Sequence, residues 1–388
     1  MVTPGGQRGR REQGLHVIDG YQFETSSLES PEALARDWSA LERVVRPSFF
    51  LSWNWISVWL EVYRPRADVL RVRRDGETVA LALLVRGHDR RHAGLLTSRT
   101  LHLHQTGLEP EDQIWIEYNG MLTTEAGRAP VYRATMRFLV EHYPDWDEFV
   151  IGAVREEDAA LLDDAAAVHR HDLWTAPCYG IDLADIRRRD SAYLDTLSRN
   201  TRYQIRRAVR LYEEQGALSI RRPQDTDEAV ERFREIGPLH LARWGGGAGQ
   251  SGFANPEFMA FHEALIRRHW DEGNVDVIHI RCGEELISAF YNLRYQGSVY
   301  FYLSGVRRET DPRLKPGLVG HALCIQEYLD AGADFYDFMG GGERYKSSLG
   351  QLHQQLVKSA LQRPRLRFRL EGLARAAKHR LLGQGDQP

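Results

Sequence analysis

The chain has 388 residues, a formal charge of −3 and an isoelectric point near 6.6, so it lacks the bulk basic character of a nucleic-acid binder. Hydrophobic residues make up 42% and charged residues 27%, a soluble globular balance over a length that suits two domains. Cys178, Cys282 and Cys324 are too scattered for a disulfide framework or a zinc site, and no run reaches the roughly 20 apolar residues of a membrane span.

Residues 1–17 are polar and basic without the apolar stretch of a signal peptide, which predicts a disordered tail on a cytoplasmic protein. Ser30-Pro31 opens a helix over EALARDWSALERVV, and the aromatic-rich FFLSWNWISVWLEVY reads as a core helix over a sheet. DVLRVRRDGETVALALLVRG predicts a hairpin that turns at Asp75-Gly76. RTLHLHQTG and DQIWIEYNG alternate like strands. A helix (APVYRATMRFLVEHY), a strand (WDEFVIGAV), a helix (EEDAALLDDAAAV) and a strand (HDLWTAPCYGIDL) complete an α/β domain over 18–185.

The second half, 186–365, repeats this order. A basic helix (YLDTLSRNTRYQIRRAVRLYEEQG), a strand (ALSIRRP) and two helices come first. Three strands follow, with turns at Gly283-Glu284 and Gln296-Gly297. SVYFYLSGV then leads through a turn-rich loop into a helix that begins Lys315-Pro316-Gly317, and DFYDFMG forms the last strand. Residues 366–388 alternate like an edge strand and then become a basic amphipathic helix. Its Leu370, Leu373, Ala377 and Leu381 share one face, which suggests packing on the protein or weak contact with an anionic membrane.

A strand feeding a helix with glycines in its first turn is suited to an anion, because the first amides of a helix are free and its dipole is positive there. Gly317, Gly320 and His321 lie in that turn, and Arg307, Arg308, Arg313 and Lys315 precede it as candidates to neutralise phosphates. Arg202 and Arg206 share a helix face and are candidates for an acidic acceptor. Asp337, His321, Glu343 and Asp112 are candidate general bases. Glu117 and Asn119 are placed to orient an acceptor, Tyr302 and Tyr291 to line a groove, and Trp244 to Gly247 to form a lid.

From SRNTRYQIRRAVRLYEEQG, the hairpin RCGEELISAFYNLRYQGSVYFYLSGV, the helix start KPGLVGHALCIQEYLDAGADFYDFMGG and ERYKSSLG, the second half resembles the GNAT acyltransferase superfamily. Within it, the likeness is to the CelD-like branch of exopolysaccharide and cellulose biosynthesis, related to the Fem-type aminoacyltransferases. DQIWIEYNGML is similar to a segment of the same tandem proteins. The resemblance implies an α/β fold of two GNAT-like domains in tandem, each a mixed, mostly antiparallel sheet flanked by helices. It implies acyl-CoA as the donor substrate, no metal, and a small-molecule amine or hydroxyl acceptor. A main-chain amide near Leu303 to Gly305 would serve as oxyanion donor, and Lys346, Asp337, Asp112 and Tyr302 would stand as catalytic candidates. Arg313 to Gly320 departs from the usual GNAT phosphate loop. An aminoacyl-tRNA donor, or a non-catalytic scaffold, are therefore the alternative readings.

Overall fold

The structure is a computed structural model that describes residues 15–373 apart from 92–93, 95, 144, 164–167 and 248. The expected tail over 1–17 lies almost wholly outside the described residues, as does the helix face at Ala377 and Leu381. The first half contains β1 (His16–Ile18), β2 (Tyr21–Ser27), α1 (Pro31–Val45), α2 (Trp53–Tyr63), β3 (Ala67–Arg74), β4 (Glu77–Arg91), β5 (Leu96–Leu103), α3 (Glu109–Asp112), β6 (Leu122–Thr123), α4 (Glu125–Glu141), β7 (Glu148–Arg155), α5 (Glu156–Asp163) and β8 (His169–Asp182). After α6 (Leu183–Arg188) and α7 (Arg199–Glu213) come β9 (Leu218–Arg221), α8 (Thr226–Trp244), α9 (Pro256–His269), β10 (Val275–Cys282), β11 (Glu285–Tyr295), β12 (Ser298–Val306), α10 (Pro316–Asp330), β13 (Phe335–Gly340), α11 (Arg344–Leu349) and β14 (Gln351–Gln362).

Two copies of one plan are visible. In each, a strand, two helices, a three-strand meander, a helix, a strand, a short helix and a last strand follow in order, so that β3-β4-β5 matches β10-β11-β12 and β7 matches β13. The meanders are antiparallel. The Asp75-Gly76 hairpin forms because both residues take positive φ, at 53° and 84°, the twist that a two-residue turn requires. In both halves the meander then meets its next strand in parallel for only three residue pairs. Thr100–His102 pair with Glu148–Val150, and Ser298–Tyr300 pair with Phe335–Asp337. Beyond those pairs the strands part.

The last strands are exchanged. β14 lies between β7 and β8, and β8 lies against β13, so each half donates its final strand to the sheet of the other. All described strands therefore join one sheet. On one of its faces α1, α2, α8 and α9 share a single core, in which Trp55 packs edge-on to Phe261 across the halves. On the other face α4 and α5 cover the first half, and α7 and α10 cover the second.

Three expectations fail. DQIWIEYNG is no strand. Its buried Ile114 and Ile116 mimic strand alternation, but Trp115 and Tyr118 take positive φ at 42° and 48°, and only Asn119 makes a bridge, to Val154. β14 was not anticipated, because apolar residues at 352, 356, 357, 360 and 361 follow a helical period that the tertiary environment overrides. The segment that begins at Leu366 is helical over 366–373 rather than an edge strand.

Candidate active site

The two places where parallel strands part are not alike. In the first half the opening is filled by its own chain. The Gln105 side chain lies where a Cβ on Gly152 would stand, and Asn119 Oδ1 accepts from His104 Nδ1 at 3.0 Å while its Nδ2 donates to Leu103 O at 2.8 Å. The helix start beyond it is capped by Thr124, whose hydroxyl accepts from Gly127 N, and carries Glu125 in its first turn. Both features disfavour an anionic ligand there.

In the second half the opening leads into a cavity of about 300 Å³. Phe301, Tyr302, Leu303 and Ser304 of β12 form one wall, and Phe338, Met339 and Gly340 of β13 form the other. Main-chain groups of β12 that point toward β13 lose their ladder partner past Tyr300. The helix beyond, α10, has Lys315 at its N-cap with no side-chain cap and no acidic residue in its first turn. A Cβ on Gly317 would meet only Val306, at 3.8 Å, so the approach to those amides is open.

The floor of the cavity comes from the other half. Residues 113–119 leave the first half as a strap and cross to the second. Asn255 Nδ2 anchors the start of the strap, donating to Pro110 O in α3 at 2.7 Å and to Gln113 Oε1 at 2.8 Å. The Tyr302 hydroxyl donates to Ile114 O, and His262 bridges the hydroxyls of Tyr302 and Tyr291, each at 3.1 Å. The strap thereby delivers Glu117 to the cavity, where Oε2 accepts from Gly340 N at 2.7 Å. Burial pushes the Glu117 carboxyl up to about 7, against the opposing pull of the Gly340 amide and the Lys346 ammonium. Lys346 is buried on α11. It donates to Gly340 O at 2.7 Å and lies 3.2 Å from Glu343 Oε2. Gly341, at φ 146°, leaves room for this pair, because a Cβ there would collide with both Lys346 Nζ and Glu343 Oε2.

The remaining sequence candidates divide. Asp337 is buried and committed: Oδ2 accepts from Tyr118 OH at 2.6 Å, Oδ1 accepts from Met339 N at 2.7 Å, and His353 Nε2 lies 3.5 Å away. Tyr302 lines the cavity, but its hydroxyl is spent on the strap. Asp112 is not at the cavity. It closes the loop after β5 by accepting from the Thr106 and Gly107 amides at 2.8 and 2.9 Å, and burial pushes it up to about 6. Asn119 belongs to the filled opening of the first half, and Tyr291 is a core residue held by His262.

Of the phosphate candidates, Lys315 and Gly317 stand at the open helix start. Gly320 instead packs on the sheet, where a Cβ would strike Ser288 and Phe290. His321 is buried among Phe290, Phe301, Phe338 and Tyr345, and burial pushes it down to about 3, so it presents no cation to a phosphate. Arg307 is paired with Glu309 and Glu285, and Arg313 with Asp311. Arg202 and Arg206 reach Asp195 at 3.3 and 3.5 Å and line a separate groove along α7. Tyr118, His353, Trp115 and Trp174 were not singled out from the sequence. The helix of TDEAVERFREIGPLHLARW ends at Trp244, which with Arg243 lines the cavity mouth. Among the described residues no cluster of His, Cys, Asp and Glu is arranged to hold a metal, and no helix is long and apolar enough to cross a membrane.

Residues 199–347 match the family model described as an acetyltransferase (GNAT) domain. The match ends just past the cavity, and the same plan is repeated in the first half. This is a tandem GNAT fold. Solved structures agree. FemX superimposes with a TM-score of 0.52 at 12% identity, over 83% of this chain and 95% of that one. L-PGS from Bacillus licheniformis gives 0.51 at 13% identity, over 89% and 96%. The C-terminal domain of a putative lysylphosphatidylglycerol synthetase from Agrobacterium fabrum gives 0.50 at 10% identity, over 90% and 97%. At these identities the likeness is one of fold. No curated protein matches the sequence. In the GNAT frame, β12 and β13 are the splayed pair, and Glu117 is a residue that the first domain lends to the second.

Proposed function

We propose that this tandem GNAT protein transfers an acyl group from a thioester, acyl-CoA, to a primary amine, with chemistry confined to the second domain. The observation that carries this reading is the asymmetry of the two openings. One is plugged by Gln105 and Asn119, while the other is open and holds a buried carboxyl tuned to about 7 beside a lysine. A base near neutral pH is matched to deprotonating an ammonium in water.

The donor's phosphates would meet Lys315 and the free amides of α10, and its thioester carbonyl would enter between β12 and β13. The acceptor amine surrenders a proton to the Glu117 carboxylate. Its lone pair then forms the C–N bond at the carbonyl carbon. The oxyanion would be stabilised by a main-chain amide of β12 near Leu303 to Gly305, on the side of the strand that faces the opening rather than β11. Collapse breaks the C–S bond, the thiolate takes the second proton from the attacking nitrogen to give free thiol and amide, and Glu117 releases the first proton to water. Lys346 holds the carbonyls of Met339 and Gly340, which fixes the β13 wall and the Gly340 amide that grips Glu117.

Calorimetric titration with acetyl-CoA and longer acyl-CoAs tests the donor, with micromolar binding expected and a loss of roughly tenfold in Lys315→Glu. Failure of every acyl-CoA to bind the folded protein would move the reading to aminoacyl-tRNA as donor. The arginine-rich face of α7 favours that second reading, and a salt-dependent gel shift with charged tRNA reads it out.

A further inference from the structure

The chain has nine tryptophans; of the three that are exposed, two line this cavity and the third reaches Gly340 in its wall. Trp115, Trp174 and Trp244 are 38%, 41% and 44% exposed, whereas Trp38, Trp55, Trp59 and Trp146 are fully buried. Trp115 and Trp244 line the cavity itself. The tip of the Trp174 ring and the Glu117 carboxylate converge on Gly340, since a Cβ at that position would lie 3.0 Å from the ring and 3.3 Å from both carboxylate oxygens. The three indoles come from separate places in the chain: the strap, β8 and the end of α8. Their convergence is not the consequence of a single exposed helix face.

Exposed indoles lose apolar contact with nothing gained for the fold, and a cluster of them beside polar groups is the character of a ligand mouth. The polar groups here are Glu117, Glu343, Ser304 and Gln250, with the Arg243 guanidinium 5.0 Å from the centre of the Trp244 ring. The required ligand has a flat apolar face for the indoles, a polar edge for these groups, and an amine that reaches Glu117. Indole faces and carboxylates both favour that amine as an ammonium before its proton is lost. An acyl chain meets the first requirement only, and an alkylamine lacks the flat face.

Building on the acyl-transfer reading above, we infer that the acceptor is an amino sugar whose pyranose ring lies on this indole platform, with its amino group at Glu117. The cavity of about 300 Å³ is at the small end of ligand sites, which suits one sugar ring beside the thioester carbonyl.

Tryptophan fluorescence of the full chain is titrated with glucosamine and its β-1,4-linked oligomers, with the N-acetylated oligomers and a free nucleoside as comparisons, and acetyl-CoA binding is measured in parallel by calorimetry. The expected result is saturable quenching by the free-amine sugars, weakened about fivefold to tenfold in Trp115→Ala and in Trp174→Ala, with acetyl-CoA affinity unchanged in Trp174→Ala. Circular dichroism, and the milder Trp115→Phe, separate loss of stacking from loss of fold. Acetyl-CoA binding without amino-sugar binding overturns the acceptor and leaves the acyl-transfer reading in place. Amino-sugar binding without acetyl-CoA binding supports the acceptor and sinks that donor. Equal binding of N-acetylated sugars, preference for the nucleoside, or quenching that survives removal of the indoles would each overturn the inference.

Discussion

At the scale of single residues, Glu117, as the proposed base, would connect stability and catalysis through one proton. Its carboxyl is held at about 7 against an ordinary 4.5, so the folded chain binds that proton more tightly than the unfolded chain. The contribution to stability is therefore complete below about 4.5 and is lost as pH rises through about 7. At ~1.4 kcal/mol per pH unit this amounts to roughly 3 kcal/mol. Glu117→Gln should remove that part of the pH dependence, which urea unfolding between pH 5 and pH 8 will reveal as a flatter profile. The same variant should lower kcat about 10²- to 10⁴-fold and abolish the limb of kcat/KM that rises toward pH 7. An unchanged limb would remove Glu117 from the base role. Gly341 offers an independent check. Alanine at φ 146° is strained, and its methyl would drive Lys346 and Glu343 apart, so Gly341→Ala should cost about 1–3 kcal/mol and most of the activity while acyl-CoA binding at α10 persists.

At the scale of elements, the strap over 113–119 decides where the site lies, and it was the part of the site least legible in the sequence. Helices and meander strands could be read because their periodicities and turn residues are local. Asp75-Gly76 and the Pro316 helix start are examples. The strap shows a strand's alternation only because Ile114 and Ile116 are buried on the second domain, a contact between distant parts of the chain. The sequence accordingly offers Glu117 as an orienting residue and Asp337 as one of the candidate bases. Nothing local discloses that Tyr118 and Met339 already occupy Asp337. Lys346 could be located in its glycine-rich loop, but its hold on β13 could not. The strap's anchorage yields its own expectation. Tyr302→Phe frees Ile114 O and one nitrogen of buried His262, which should cost about 1–2 kcal/mol of stability. With the strap loosened, the apparent pKa of the rising limb should fall toward that of a solvated glutamate while acyl-CoA KM stays fixed. A drop in stability with the pH profile intact would assign Tyr302 to packing alone.

At the scale of the whole molecule, the exchanged strands explain why both domains are needed even though the proposed chemistry lies in one. β14 takes its partners from β7 and β8, and β13 is completed by β8, so the second domain has neither its last strand's partners nor a protected edge without the first. The strap adds Glu117 to what the first domain supplies, and the core shared by α1, α2, α8 and α9 joins them again. The first domain is thus a structural half of the site whose own opening has been closed. Expressed alone, residues 183–373 should fail to give a cooperative unfolding transition and should aggregate through the bare edge of β13 and the unpaired β14. Residues 15–182 should fare similarly, since β7 and β8 would then lie next to one another without β14 between them. Coexpression of the two pieces should restore a single complex of the size of the intact chain, with the acyl-CoA affinity of the intact chain and its Glu117-dependent pH limb. Size-exclusion chromatography and calorimetry read this out. A second piece that folds alone and turns over would show that the strap and the exchanged strands are dispensable, and that the base lies within residues 183–373.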